Sequence, residues 1–173
     1  NIRVGGYVPP YLRFCTGITV SPDCTSASGE FINLGELSKT EPKYGTSQFA
    51  VSTNYPLGYA TTVVGGTMTS GNNTITELVS PAPSQPGTPQ FGMNLRANSN
   101  PSVGAEPTGV GTGIIAPNYA IPNQFHFGTS ALVTSSLPTN PNVFTVSYLV
   151  NVNSAQRPGV YVTTLTYIAV PLF

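Results

Sequence analysis

The sequence predicts an all-β fold: an antiparallel two-sheet sandwich, Ig-like or pilin-like, with an N-terminal extension strand. Three observations carry this. Apolar and polar residues alternate over short stretches, the period-2 signature of half-buried strands. Those stretches are rich in Val, Ile, Thr, Tyr and Phe, which suit a pleated surface. Between them recur 18 glycines and 17 prolines, which break long helices and mark turns at the spacing of a sandwich. In 173 residues, roughly eight to ten strands of ordinary length fit a single domain.

The elements follow in order. "NIRVGGYV" alternates as a strand, with Ile2, Val4, Gly6 and Val8 on one face. Pro9 and Pro10 then cut it off, because neither supplies a backbone donor. Residues 1–10 therefore form a separate strand and linker, and residues 11–173 the sandwich. "YLRFCTGITV" places Leu12, Phe14, Thr16, Ile18 and Val20 on one face. "EFINLGEL" reads as the next strand, followed by "SQFAVSTN" with Phe49 and Val51 inward. A turn at Pro56-Leu57-Gly58 leads into Tyr59, Thr61 and Val63, and "NTITELV" is short. "SPAPSQPGTPQ" is too proline-dense for a sheet interior. "FGMNLRAN" turns Phe91, Met93 and Leu95 inward, and residues 98–118 read as a long surface loop, functional or mobile. "NQFHFGT" and "SALVTSS" are short strands, and "VFTVSYLVNVN" alternates strictly from Phe144 to Val152. A Pro158-Gly159 turn opens the closing strand, Val160 to Val170, which carries substantial side chains on both faces.

Composition narrows the function. Charged residues are only 7% of the chain, six basic against six acidic, so no basic face exists for nucleic acid or for an anionic membrane surface. No apolar run approaches the ~20 residues of a membrane-spanning helix. Cys15 and Cys24 are the only cysteines. In an exported protein they close the bend at Ser21-Pro22-Asp23 as a disulfide; in a cytosolic one they are two buried thiols. The remaining composition favours export, and the missing initiator Met suggests a removed signal peptide.

Residues for catalysis are sparse. His126 is the sole histidine and Asp23 the sole aspartate. Between Phe125 and Phe127, His126 reads as a side chain on an outer sheet face, without the carboxylate and nucleophile a catalytic base needs. Glu30, Glu36, Glu41, Glu77 and Glu106 are scattered, and nothing selects two of them as a glycosidase pair. "GVGTG" lacks the lysine and the strand-to-helix context of a phosphate loop. Asn72-Asn73-Thr74 meets the N-glycosylation pattern. The expectation is a non-enzyme without cofactor or metal.

The opening strand points elsewhere. An isolated strand with one apolar face needs a groove and an unpaired sheet edge, and β-strand addition to a neighbouring molecule supplies both. Such a head-to-tail contact does not close on itself and builds a filament. The acceptor groove is expected along the closing strand, at Val160, Val162, Leu165, Tyr167 and Ile168, and one other edge. The stretch from Ile32-Asn33-Leu34-Gly35 through Phe49 and Val51 to Gly58, Tyr59 and Val63 resembles secreted β-sandwich modules of fimbrial subunits and spore-coat-U-like proteins. The ending, through Gly159, Tyr161 and Leu165, resembles their final strand. The layout is also similar to that of uncharacterised secreted proteins of candidate-phylum bacteria. The resemblance implies an N-terminal donor strand with alternating apolar residues and a central glycine, the pattern of Ile2, Val4, Gly6 and Val8. The penultimate tyrosine usual in chaperone–usher pilins is Leu172 here.

The expected protein is thus a secreted structural subunit of a cell-surface filament, a pilus or matrix fibre. Its partners are identical subunits and a host or neighbouring-cell surface, with no nucleic acid and no membrane span. The alternative is a monomeric secreted adhesin or carbohydrate-binding sandwich using residues 98–118 with Tyr44, Tyr55 or Tyr119, its first strand folded back on its own domain.

Overall fold

The computed structural model describes all 173 residues. Nine strands make up the two principal sheets: β1 (Leu12–Gly17), β2 (Lys43–Thr53), β3 (Tyr59–Val64), β4 (Gln90–Asn94), β5 (Thr108–Gly109), β6 (Ile114–Ile115), β7 (Ala131–Ser135), β8 (Thr139–Asn151) and β9 (Thr166–Pro171). The first sheet runs β1-β2-β8, with β4 and β5 both paired to the far side of β8. The second runs β6-β7-β3-β9. Every ladder is antiparallel. Phe49, Val51, Phe144 and Val146 of the first sheet and Tyr59, Val63, Leu132 and Val133 of the second bury into one core, an arrangement that fits a β-sandwich.

Local alternation explains most of this. Tyr59, Thr61 and Val63 are buried, while Ala60, Thr62 and Val64 are half-buried or exposed. Strand β8 is buried on both faces from Asn142 to Asn151. Its outer face lies under residues 98–104, where Gly104 approaches Ser147 so closely that a Cβ would sit 2.3 Å from its Oγ. Residues 98–118 are therefore not a free surface loop. They contain the Asn98–Ser99/Ser102–Val103 ladder, strands β5 and β6, and a 3₁₀ turn at Pro117–Tyr119. Buried Asn98 and Asn94 hold the region together: Asn98 Nδ2 donates to Asn94 Oδ1 at 3.1 Å and to Arg96 O at 2.8 Å, while Asn94 Nδ2 donates to Ile121 O and Gln124 O.

Three further expectations are corrected. "EFINLGEL" forms no strand, although Ile32, Leu34 and Leu37 pack against the core. The closing strand is Thr166–Pro171 rather than Val160–Val170, because β3 ends at Val64 and offers residues 160–165 no ladder. His126 is not on an outer face. It is 5% exposed, makes a bridge with Met93 and packs against the Tyr119 ring, with centroids 5.0 Å apart.

The placement of His126 makes stability depend on pH. Burial lowers the pKa of the imidazole, and its Nδ1 has no hydrogen-bond partner. The unfolded chain therefore binds a proton more readily than the folded one, so stability is full above about pH 6.5 and falls as pH drops below it. Thermal midpoints should decline from pH 7 to pH 5, and His126→Phe should flatten that decline. A profile unchanged by the substitution would remove His126 as its cause.

Candidate functional site: an open edge beside an apolar cavity

Strand β1 is an edge of the first sheet and β9 an edge of the second, and the two lie near each other. Between them the core is incompletely closed. Strand β1 pairs with β2 only from Leu12↔Thr53 to Gly17↔Gln48. Strand β2 extends beyond that point, and its residues 43–47 pair with β8 on one side and with no strand on the other. No main-chain hydrogen bond from a turn or loop reaches them. Along this edge alternate N–H and C=O groups point outward, the arrangement onto which a further strand adds.

Beside the edge opens a cavity of about 370 Å³, lined by Ile32, Leu34, Phe91, Val162, Leu165 and Tyr167 among others. Its lining also carries the Glu30 carboxylate and the hydroxyls of Thr16, Ser47, Tyr148, Thr163 and Tyr167. Tyr148 from β8 and Tyr167 from β9 join their phenol oxygens across the two sheets, and Ser47 Oγ lies 2.7 Å from Tyr148 OH. Burial pushes both phenols above their ordinary pKa. At neutral pH this trio is uncharged and mutually satisfied, so an apolar side chain packed against it strands none of the three.

Of the expected groove residues, Val162, Leu165 and Tyr167 line this cavity. Val160 and Val162 line an adjoining cleft of about 690 Å³. Ile168 does not join them: Tyr167 and Ala169 face inward on β9, and Ile168 faces out, 41% exposed. Cys15 and Cys24 form a disulfide that ties β1 to the bend after it. This cross-link fits a protein of an oxidising compartment, and no helix is long and apolar enough to cross a membrane.

The sequence reading did not find Ser47, Tyr148 or the free edge of β2. One signal was available. Gly45 interrupts the strand "KYGTSQF", and a strand-interior glycine often marks close approach of another segment. Here that segment carries Ile32, whose Cγ2 would lie 2.4 Å from a Cβ at Gly45.

Residues 1–10 carry no strand and are exposed throughout. Ile2 and Val4 are each 94% exposed. The chain becomes fixed at Pro9–Tyr11: Asn54 Nδ2 donates to Pro9 O at 2.9 Å, and Tyr11 N donates to Asn54 Oδ1 at 2.7 Å. The arm thus leaves beside Thr53–Asn54, whereas the free edge occupies the other end of β2, roughly 30 Å away at strand rise.

The remaining candidates for chemistry lie apart from the cavity or unassembled. Arg96 and Glu106 form an ion pair at 2.8 Å. Tyr119 is fully buried, Tyr55 packs edge-on against Phe173 at 5.3 Å, and Tyr44 stands alone at 45% exposure. The three tyrosines considered for sugar binding therefore make no common platform, and Tyr119 is corrected from exposed to core. Asn72 is exposed, in the connection between the paired segments Thr69–Ser70 and Asn73–Thr74. No family model, no curated protein and no solved structure matches this chain.

Proposed function

We propose that this protein is an extracellular structural subunit that polymerises head to tail, residues 2–8 of one copy entering the groove of the next. The observation that carries the reading is the arm itself, an alternating apolar segment exposed on a body that has an unpaired strand edge beside an apolar cavity. In the complex the arm adds as a strand along residues 43–47 of β2. Ile2, Val4 and Val8 turn toward the cavity, and Gly6 allows close backbone approach.

Distance favours a neighbour over the arm's own domain. Folded back from Pro9 alongside β1, the arm advances about 3.3 Å per residue. With Val8 level with Thr53, Ile2 comes level with Ser47, so folded back in this way residues 3–8 lie beside β1 rather than along the free edge. In a second copy nothing limits the reach, and the separation of arm and groove makes the contact heterologous and open.

The test is negative-stain electron microscopy of the protein beside a version lacking residues 1–8. Fibres are expected from the first and none from the second. Monodisperse monomers from the full chain, under conditions near those of its source, would overturn the reading in favour of a monomeric binding module.

A further inference from the structure

The groove is already occupied from within. Residues 30–42 cross from the end of the Ala27–Ser28 segment to the start of β2, and Ile32 and Leu34 lie in the cavity wall against the core. This strap makes no main-chain hydrogen bond to the rest of the protein: the last such bond before it is Ile18 N to Gly29 O, and the next belong to β2. Its recorded polar contacts are internal, Asn33 Oδ1 accepting from Gly35 N and Ser38 Oγ from Thr40 N and Glu41 N. Ile32 sits over Gly45 on the core-facing side of β2, beside its unpaired edge, in the space the inward side chains of an added strand would enter.

We propose that the strap is a displaceable plug, and that its release gates entry of the neighbour's arm. This rests on the strand-insertion reading above and adds its control. A segment held only by a few apolar side chains opens far more readily than one laddered into a sheet. The incoming arm offers both the side chains that replace Ile32 and Leu34 and the main-chain bonds the strap never makes. The adjoining cleft of about 690 Å³ gives the strap somewhere to go. It lies against Phe31, Leu34, Leu37, Val160 and Val162, and Phe31 and Val160 are 73% and 80% exposed before any movement. A subunit that keeps its groove plugged is protected from indiscriminate association through a bare strand edge. The occupant that replaces the plug is residues 2–8 of a second copy, because they are exposed and, folded back on their own body, lie beside β1 instead of the free edge.

The experiment locks the plug. A Cβ at Gly45 would stand 3.9 Å from Ile32 Cβ, the separation a disulfide requires. The full-length double variant Ile32→Cys, Gly45→Cys is compared with the parent by light scattering, oxidised and after reductant, with the parent given the same reductant to account for Cys15–Cys24. Because apparent affinity scales with the fraction of open molecules, locking should slow fibre growth by about a hundredfold, with recovery on reduction. By the same argument Ile32→Ser should speed growth by about tenfold. Growth of the oxidised double variant at the parent's rate, or an Ile32→Ser variant no faster than the parent, would overturn the plug and leave strand insertion standing. A parent that never polymerises overturns both.

Discussion

Two subunits that are each unable to polymerise should restore one another as a pair and then stop. The first lacks residues 1–8 and keeps its groove. The second keeps its arm but carries Leu165→Glu, which places a carboxylate in the cavity wall, where its desolvation opposes entry of an apolar strand. Neither forms fibres alone. Mixed in equal amounts, they are expected to give a 1:1 heterodimer in which the arm of the second fills the groove of the first, visible as a species of two-subunit mass in light scattering. The one-sided stop follows from the heterologous contact: an interface made of the same patch on both copies would not produce it. The energy scale is adequate. Ile2, Val4 and Val8 are 94%, 94% and 79% exposed before association, and burying each contributes about 1.5–3 kcal/mol, against substantial ordering costs on both sides. Val4→Asp on the arm forfeits one of these side chains and adds a charge, so it should weaken the heterodimer by about a hundredfold. A heterodimer insensitive to Val4→Asp, or continued growth of the mixture beyond two subunits, would rule out this contact.

The largest stability effect is expected at Gly58. It closes the turn before β3, with φ +75° and its N–H donating to Tyr55 O at 3.0 Å, while its own carbonyl accepts from Leu172 N. A Cβ there would lie 2.1 Å from Ser135 O and 2.9 Å from Leu137 N, both main-chain atoms that no side-chain rotation can move aside. Gly58→Ala therefore combines the left-handed penalty of an L-residue with a backbone collision between β3 and the β7–β8 connection. The sum is about 4 kcal/mol, a fall of roughly 10 °C in the thermal midpoint for a chain of this length. Gly71 provides the control. It too has positive φ, +56°, but a Cβ there meets nothing within 4 Å, so Gly71→Ala should cost only the conformational share, about 1 kcal/mol. Equal losses at the two sites would contradict the collision.

The parts of the fold legible in the sequence are those set by neighbours along the chain. Phe144, Val146, Tyr148, Val150 and Val152 alternate because one face of β8 meets the core, and two-residue periodicity records that directly. The turn at Pro56-Leu57-Gly58 and the Cys15–Cys24 bridge are equally local, and both are present. "EFINLGEL" shows the limit. Its spacing of Ile32 and Leu34 is strand-like, yet the segment lies over the face of β2 at Gly45 and makes no ladder with the open edge of residues 43–47. The same apolar pattern consequently serves as a plug. His126 failed for a related reason. Alternation between Phe125 and Phe127 puts it on the opposite face, but nothing nearby in sequence announces that Tyr119 would cover that face.

The groove residues divide in the same way. Leu165 and Tyr167 stand among the expected groove residues, but the two faces of the closing strand look alike in the chain and do not separate them from Ile168. Ser47 and Tyr148 enter the site only because β2 and β8 pair at a register that brings their hydroxyls together. The sequence by itself determined an all-β chain of low charge, two cysteines close enough along the chain to bridge a bend, and an opening segment with one apolar face cut off by two prolines. Only the tertiary structure decided where β1 stops short of β2, which edge is thereby left open, and that the arm leaves from the other end of that strand. Alternation is a property of a few consecutive residues. An unpaired edge is a property of what the rest of the chain does not reach, and that is set by pairings between segments far apart in sequence.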